Sequence, residues 1–316
     1  MTMPILKPPA VGAGATIAVV APASSARVEK LEAGISALRG LGYKVMESRH
    51  LRGRDSHYFS GTADERLRDI HAAFADPAIA AIFCSRGGYG SNYLLEGLDL
   101  ALIRQNPKPF FAYSDLSVVQ TWLLDRVGLV SFHGPMAAAD FCREGGVHHA
   151  SFNAAISGGM TSLGAAEGLR TLRPGKATGT LYGGCLSMIV STLGTPFAAE
   201  TEGKLLFLED VNVKPYQIDR MLRQMILAGK LDRVTGIIFG EMQDCGFLSG
   251  DRGQLDAVLL RVLERFEGPI GFGLRSGHVS RSNVTLPFGI EARLDLAETS
   301  GGAGASLEFL EAAVGN

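Results

Sequence analysis

Only four cysteines and one tryptophan occur in the 316 residues, and the cysteines, Cys84, Cys142, Cys185 and Cys245, stand far apart. No C-x-x-C pair and no histidine at zinc-ligand spacing accompanies them, which excludes a metal ribbon or a disulfide framework as the basis of the fold. Reduced cysteines fit a cytoplasmic protein. Excess charge of either sign is missing too, since 30 Lys and Arg against 32 Asp and Glu leave a formal net charge of -2. Without a global positive field the chain is not built to gather nucleic acid or an anionic membrane. No uncharged apolar run approaches the roughly 20 residues that cross a bilayer, and the opening segment lacks a basic stretch followed by a long apolar one. Neither membrane association nor a secretion signal is expected.

Glycine is what the chain has in plenty: 40 residues, beside 46% hydrophobic and 20% charged residues. That composition predicts a well-packed globular protein rich in tight turns. Its length suits about two domains. Over the first 135 residues strand-like and helix-like stretches alternate. TIAVVAP reads as a buried strand, and Ser24 or Ser25 can cap the helix that carries Val28, Leu31, Ile35 and Leu38. YKVMES is a second strand. Thr62-Ala63-Asp64-Glu65 spells a capping box ahead of Leu67, Ile70 and Phe74, and Asp76-Pro77 stops that helix. AIAAIFC, PFFAY and LVSFHGP follow as strands with helical stretches between them. Such alternation predicts a mainly parallel sheet with helices on both faces. From 137 to about 177 the text turns Ala/Gly/Ser-rich, so the expected division is a first domain over 1–140, a connection over 141–176 and a second domain over 177–316.

Ser114 lies between the strand PFFAY and an amphipathic helix, a setting that exposes a nucleophile at a sheet edge and aims backbone amides at a reacting carbonyl. The same position also suits a plain helix cap, with Asp115 favouring the positive end of the helix dipole. A serine hydroxyl needs a general base, and the base needs an acid to hold it. His278 follows Gly277 in a loop between two β-like runs, while Glu209, or its neighbour Asp210, ends the apolar strand KLLFL. The Gly-rich turn Ser85-Arg86-Gly87-Gly88-Tyr89-Gly90-Ser91 could cradle an oxyanion or a phosphate, although it lacks the full dinucleotide spacing. His148-His149 reads as solvated loop, and His133 as a turn or core histidine.

Taken together, SRGGYGS, FFAYSDLS, FHGPM, GTLYGGCLS, LFLEDVNVKPYQIDRML, GIIFGEM and SGH followed by LPFG resemble the LD-carboxypeptidases, or muramoyltetrapeptide carboxypeptidases, the serine peptidases of family S66. The resemblance runs from about Ile17 to Leu296. It implies an α/β protein with a flavodoxin-like parallel-sheet N-terminal domain and a smaller β-rich α/β C-terminal domain. It also implies a bacterial cytoplasmic homodimer that needs no cofactor or metal. Its activity would be release of terminal D-Ala from murein tetrapeptides during cell-wall recycling, with a small muropeptide as the partner.

Carried over residue by residue, the nucleophile falls on Ser114, the acid on Glu209 and the base on His278. Backbone amides near Gly88 and Asp115 are then expected at the oxyanion, and Arg86 and Cys185 beside the substrate. Three positions depart from the pattern: Ala112 for the usual Gly, Cys185 for Asn, and Val213 where many members carry an acid. The departures at Cys185 and Val213 bear on substrate choice. Two competing readings follow: hydrolysis of a microcin C-type aminoacyl-nucleotide amide, and noncatalytic binding of a muropeptide or nucleotide.

Overall fold

The computed structural model describes residues 3–55, 57–246, 252–297 and 304–315. Two compact units emerge: Met1–Gly159 with Ser282–Gly289 and Ala312–Asn316, and Met160–Arg281 with Ile290–Glu311. The stretch 141–176, expected as a connection, contains a helix of the first unit and two strands of the second.

In the first unit the strands are β1 (Thr16–Val20), β2 (Lys44–Glu47), β3 (Ile79–Cys84), β4 (Phe110–Ala112) and β5 (Ser131–His133), with helices α1 (Val28–Gly40), α2 (Ala63–Ala75), α3 (Leu100–Gln105), α4 (Ser117–Val127) and α5 (His149–Ser157). In the second lie β6 (Ser162–Gly164), β7 (Arg170–Arg173), β8 (Gly175–Cys185), β9 (Lys204–Glu209), β10 (Gly236–Gly240) and β11 (Ile270–Leu274), with α6 (Leu186–Ser191), α7 (Pro215–Leu227) and α8 (Arg252–Val262). The chain then returns to the first unit with β12 (Leu286–Phe288) and ends the second with β13 (Glu291–Leu296) and β14 (Ala305–Phe309).

The first sheet runs β12-β5-β4-β3-β1-β2, parallel except for β12. Its order 2-1-3-4-5 is the flavodoxin-like one, which reverses direction between β1 and β3 and opens a crevice at the carboxyl ends of those strands. Register sets its centre: Phe83 pairs with Phe111, and Phe111 with Phe132. Their rings stack at 4.4 and 4.7 Å between centroids, each pair adding about 1 kcal/mol beyond area burial.

The capping box forms as spelled, Thr62 Oγ1 accepting from Glu65 N while Glu65 takes the Thr62 N–H. The expected serine cap on α1 does not form. Arg27 occupies that cap position without a side-chain bond, and Ser24 Oγ instead accepts the Tyr89 N–H at 3.1 Å. Likewise His148 is a helix cap, its ring nitrogen accepting from Ser151 N at the start of α5.

The second sheet is mixed, in the order β6-β14-β13-β8-β9-β10-β11-β7, with β8, β9, β10 and β11 parallel at its centre. Gly183 is needed there: its φ is +140°, and a Cβ would overlap the Phe207 carbonyl group, with the carbonyl carbon 2.9 Å away. Pro215 takes the first turn of α7, where its missing N–H costs nothing.

Asp140 carries a pH signature. It is 1% exposed, accepting the Met136 N–H at 2.9 Å and facing Tyr113 and Arg143. Burial raises its pKa above the ordinary carboxylate value, despite hydrogen bonds and the Arg143 charge that oppose the shift. The fold therefore binds more protons here than the unfolded chain, and stability is lost as pH rises from the ordinary value through the raised one. Compared with the parent, an Asp140→Asn variant should gain in thermal midpoint as pH rises from about 4 upward. A gap that stays flat across that range would contradict the burial argument.

Candidate active site

In the first unit the candidate nucleophile stands where β4 gives way to α4. Tyr113 is fully extended, and Ser114 then turns to φ 64°, a left-handed conformation that costs a serine about 1 kcal/mol or more. From Phe110 to Thr121 every residue is buried except Ser114. Its hydroxyl caps nothing: Leu116 holds the N-cap position of α4, with no side-chain bond. The strained turn thus lifts one hydroxyl out of a buried strand-helix junction.

Gly87 comes closest to it from the Gly-rich turn. A Cβ on Gly87 would sit 2.8 Å from Ser114 Cβ, 2.9 Å from its Oγ and 3.3 Å from the Asp115 N. Gly88, the residue expected from sequence, is exposed at φ 115° and packs on Ser24. Asp115 is buried, its Oδ2 accepting the Ser91 N–H at 2.8 Å while its backbone carbonyl accepts the Ser91 hydroxyl. Burial raises its pKa, with bonds from Ser91 and the Arg66 charge opposing. Asp115 therefore ties the end of the Gly-rich turn to the turn that carries Ser114. Sequence reading missed this tie and Gly87, because both depend on two loops meeting after distant strands align.

Arg86 is half-buried on the same turn, and among the described residues no ion pair or hydrogen bond engages its guanidinium. A methyl group on Gly87 would push directly on Ser114 without straining its own backbone. Gly87→Ala should therefore cost about 1 kcal/mol or more of stability through overpacking and lower kcat about 100-fold, the scale of a 1 Å misplacement. A variant with full kcat would show that the two loops do not need this contact.

In the second unit β9 ends on Glu209, which is fully buried. His278 follows Gly277, whose φ of 87° turns the chain out of the β11 edge. Glu209 Oε2 accepts the His278 backbone N–H at 3.0 Å and lies 2.7 Å from His278 Nδ1. With an ionised carboxylate at that distance Nδ1 carries the proton, which gives Nε2 the acceptor role. Asp210, the alternative acid, is engaged elsewhere: it accepts Ser187 N at 2.8 Å in the first turn of α6, and Val211 N at 2.9 Å. Burial, and then the Glu209 charge, raise its pKa.

Cys185 pairs directly with Glu209 across β8 and β9. Its thiol is pushed well above its ordinary pKa by burial and by the Glu209 and Asp210 charges, so it is not a thiolate nucleophile. Glu241 accepts both the N–H and the hydroxyl of Ser280, at 3.0 and 2.5 Å, and so anchors the loop that carries His278. Asn212, Met242 and Asp244 all have positive φ at the ends of β9 and β10, where Asn212 N donates to Gln243 O at 2.9 Å. Strain of this kind gathers at functional edges. Among the described residues no cluster of His, Cys, Asp or Glu could hold a metal ion, and no helix is long and apolar enough to cross a membrane.

The expected residues thus form two groups, Ser114, Asp115, Gly88 and Arg86 in one unit, Glu209, His278 and Cys185 in the other. The profile of the LD-carboxypeptidase N-terminal domain matches residues 17–134, and that of the LD-carboxypeptidase C-terminal domain matches 178–294. The chain belongs to the LD-carboxypeptidase family. This member is 38% identical over 297 residues to a probable murein peptide carboxypeptidase of Bacillus subtilis, covering 92% of both chains. It is 31% identical over 293 residues to the murein tetrapeptide carboxypeptidase of Pseudomonas aeruginosa, covering 88% of this chain and 92% of that one. Among solved structures, the muramoyltetrapeptide carboxypeptidase of Oxalobacter formigenes matches at TM-score 0.81 and 30% identity, covering 93% of this chain and 98% of that one. An MccF-like protein of Bacillus anthracis matches at 0.87 and 26%, covering 97% and 99%.

The two-domain α/β class and the peptidase-type hydrolase assignment expected from sequence therefore hold for this LD-carboxypeptidase family member. The partner expectation needs correction. Structures of the microcin C7 self-immunity protein MccF, which share the fold at TM-scores of 0.87 to 0.89, hold adenosine monophosphate, aspartyl sulfamoyl adenosine and glutamyl sulfamoyl guanosine. Proteins of this fold therefore hold nucleotide-type ligands, and the fold does not by itself imply a peptide partner.

Proposed function

We propose that this protein is a serine amide hydrolase whose substrate is an amino acid joined through an amide to a nucleotide-type group. The observation that carries the hydrolytic part is Ser114, strained and alone in reaching solvent at a strand-helix junction. Ser114 Oγ attacks the amide carbonyl carbon while His278 Nε2 takes the hydroxyl proton. Glu209 stabilises the imidazolium through Nδ1. Amides of the Gly87-Gly88 turn and of Asp115 stabilise the oxyanion. His278 then protonates the departing nitrogen as the C–N bond breaks. Water, deprotonated by His278, opens the resulting ester and restores the serine. Arg86 pairs with an anionic group of the substrate, a carboxylate or a phosphoryl oxygen.

The nucleotide-type leaving group is supported by the likeness to the MccF-like protein of Bacillus anthracis and by 28% identity over 308 residues to the Escherichia coli microcin C7 self-immunity protein. A second reading, release of a terminal D-amino acid from a murein peptide, is favoured by the names of the Bacillus subtilis and Pseudomonas aeruginosa relatives. Incubating the enzyme with an aspartyl sulfamoyl adenosine-type amide, a murein tetrapeptide and an all-L peptide, followed by mass spectrometry, tests both. Cleavage of the nucleoside amide is the expected result. Release of D-Ala alone would replace the first reading with the second, and no product from any of the three would sink the hydrolase proposal.

A further inference from the structure

Beside the Gly-rich turn, four aromatic rings gather within the first unit. Tyr58, Tyr89 and Tyr93 are 51, 42 and 58% exposed, unusually open for large rings. Phe59 lies at their centre, 4.6 Å from Tyr58, 5.7 Å from Tyr89 and 5.5 Å from Tyr93 between centroids. The cluster is braced from below. Arg66, 2% exposed, places its guanidinium 4.8 Å from the Phe59 centroid and donates to the carbonyls of Pro22, Gly61 and Gly90. Gly90 has no room for a side chain, since a Cβ would sit 2.6 Å from the Phe59 ring. Phe59, the centre of the cluster, is therefore held in place without a ligand, which lowers the entropy cost of binding one there.

Their position in the fold matters as much as their exposure. Tyr89 leaves the turn after β3, and Ser24, which accepts its N–H, leaves β1, so the cluster borders the crevice where the sheet order reverses. Only one residue, Gly88, separates Tyr89 from Gly87, the residue that packs on Ser114, a span of about 7 Å at most. Arg86 immediately precedes Gly87 on the same turn, and its Nη2 lies 3.5 Å from where a Gly88 Cβ would be. An uncharged aromatic cluster with open ring surface, a cation that no described residue engages and a candidate nucleophile therefore lie about one turn, and these are the three features a nucleotide-type substrate needs for its base, its phosphoryl-type anion and its scissile amide.

We propose that Tyr58, Phe59, Tyr89 and Tyr93 form the stacking platform for the nucleobase of the substrate. This inference rests on the nucleotide-amide reading above, and its test is independent of turnover. Adenosine monophosphate is titrated by calorimetry into the Ser114→Ala protein, alone and combined with Tyr93→Ala, Tyr58→Ala or Tyr93→Trp. The alanine variants should weaken binding about tenfold or more, the loss of one ring under a base. Tyr93→Trp should retain it, and Tyr216→Ala, at an exposed tyrosine of the second unit, should change nothing. Thermal midpoints confirm that each variant is folded. Unchanged affinity in the alanine variants, or no binding by the Ser114→Ala protein itself, overturns the platform. So does a shift in sedimentation from dimer to monomer with affinity unchanged, which would make this face a contact between copies. Failure of the hydrolytic reading shows separately, as an intact nucleoside amide after incubation with the unmodified enzyme.

Discussion

Replacing Ser114 with Ala should lower kcat by about 10⁴-fold or more while the protein stays folded. In the proposed mechanism the hydroxyl forms the bond to the carbonyl carbon, and what survives its loss is only oxyanion stabilisation and substrate binding. Folding should be nearly indifferent, because no neighbouring group uses the hydroxyl as a cap and the strained backbone stays strained in Ala. Ser114→Gly separates the two effects further. Glycine adopts φ 64° without penalty, so that variant should be as inactive as the Ala variant yet more stable by about 1 kcal/mol. A protein gaining stability as it loses its nucleophile shows strain held for function. Turnover and thermal midpoint of both purified variants check this; an active Ala variant removes Ser114 from the mechanism.

Glu209→Gln should cost about 10⁴-fold in kcat with little change in KM, the scale for an imidazole held in the wrong tautomer. Oε2 of Glu209 serves both the His278 N–H and Nδ1, and the residue is fully buried, so water cannot substitute for a missing acceptor. The neutral amide keeps one acceptor oxygen but loses the charge that stabilises an imidazolium, and its NH₂ group competes for the ring nitrogen. Single-turnover kinetics isolates the acylation step. A variant within tenfold of the parent would reduce Glu209 to an anchor for the loop, the role Glu241 plays toward Ser280.

Much of the candidate site was legible in the chain because its signals are local. A strand that ends in Ser114-Asp115 before an amphipathic helix, an apolar strand closed by a carboxylate, and a histidine after glycine in a loop are all written within a few consecutive residues. What the local text left open was which of two adjacent groups meets the histidine. Glu209 and Asp210 are equally acidic and equally placed in sequence; one meets His278 and the other meets α6 because successive side chains of a strand point to opposite sides. Gly87 and Gly88 differ in the same way, one against Ser114 and one against Ser24. The serine cap expected for α1 failed for a related reason: Ser24 found a better partner 65 residues away.

By itself, then, the sequence determined the alternation of strands and helices, the capping box on α2, the proline start of α7 and the residue types able to open an amide. These follow from periodicity, backbone chemistry and side-chain functional groups, which act over one or two turns of chain. Only the tertiary structure decided that Phe59 rests on Arg66 beneath three open tyrosines, that β12 returns to the first sheet, and that Ser114 must sit at positive φ. Those outcomes depend on strand order and register, set by the burial of surfaces far apart in the chain, and no local pattern encodes a contact whose two halves are written dozens of residues from each other.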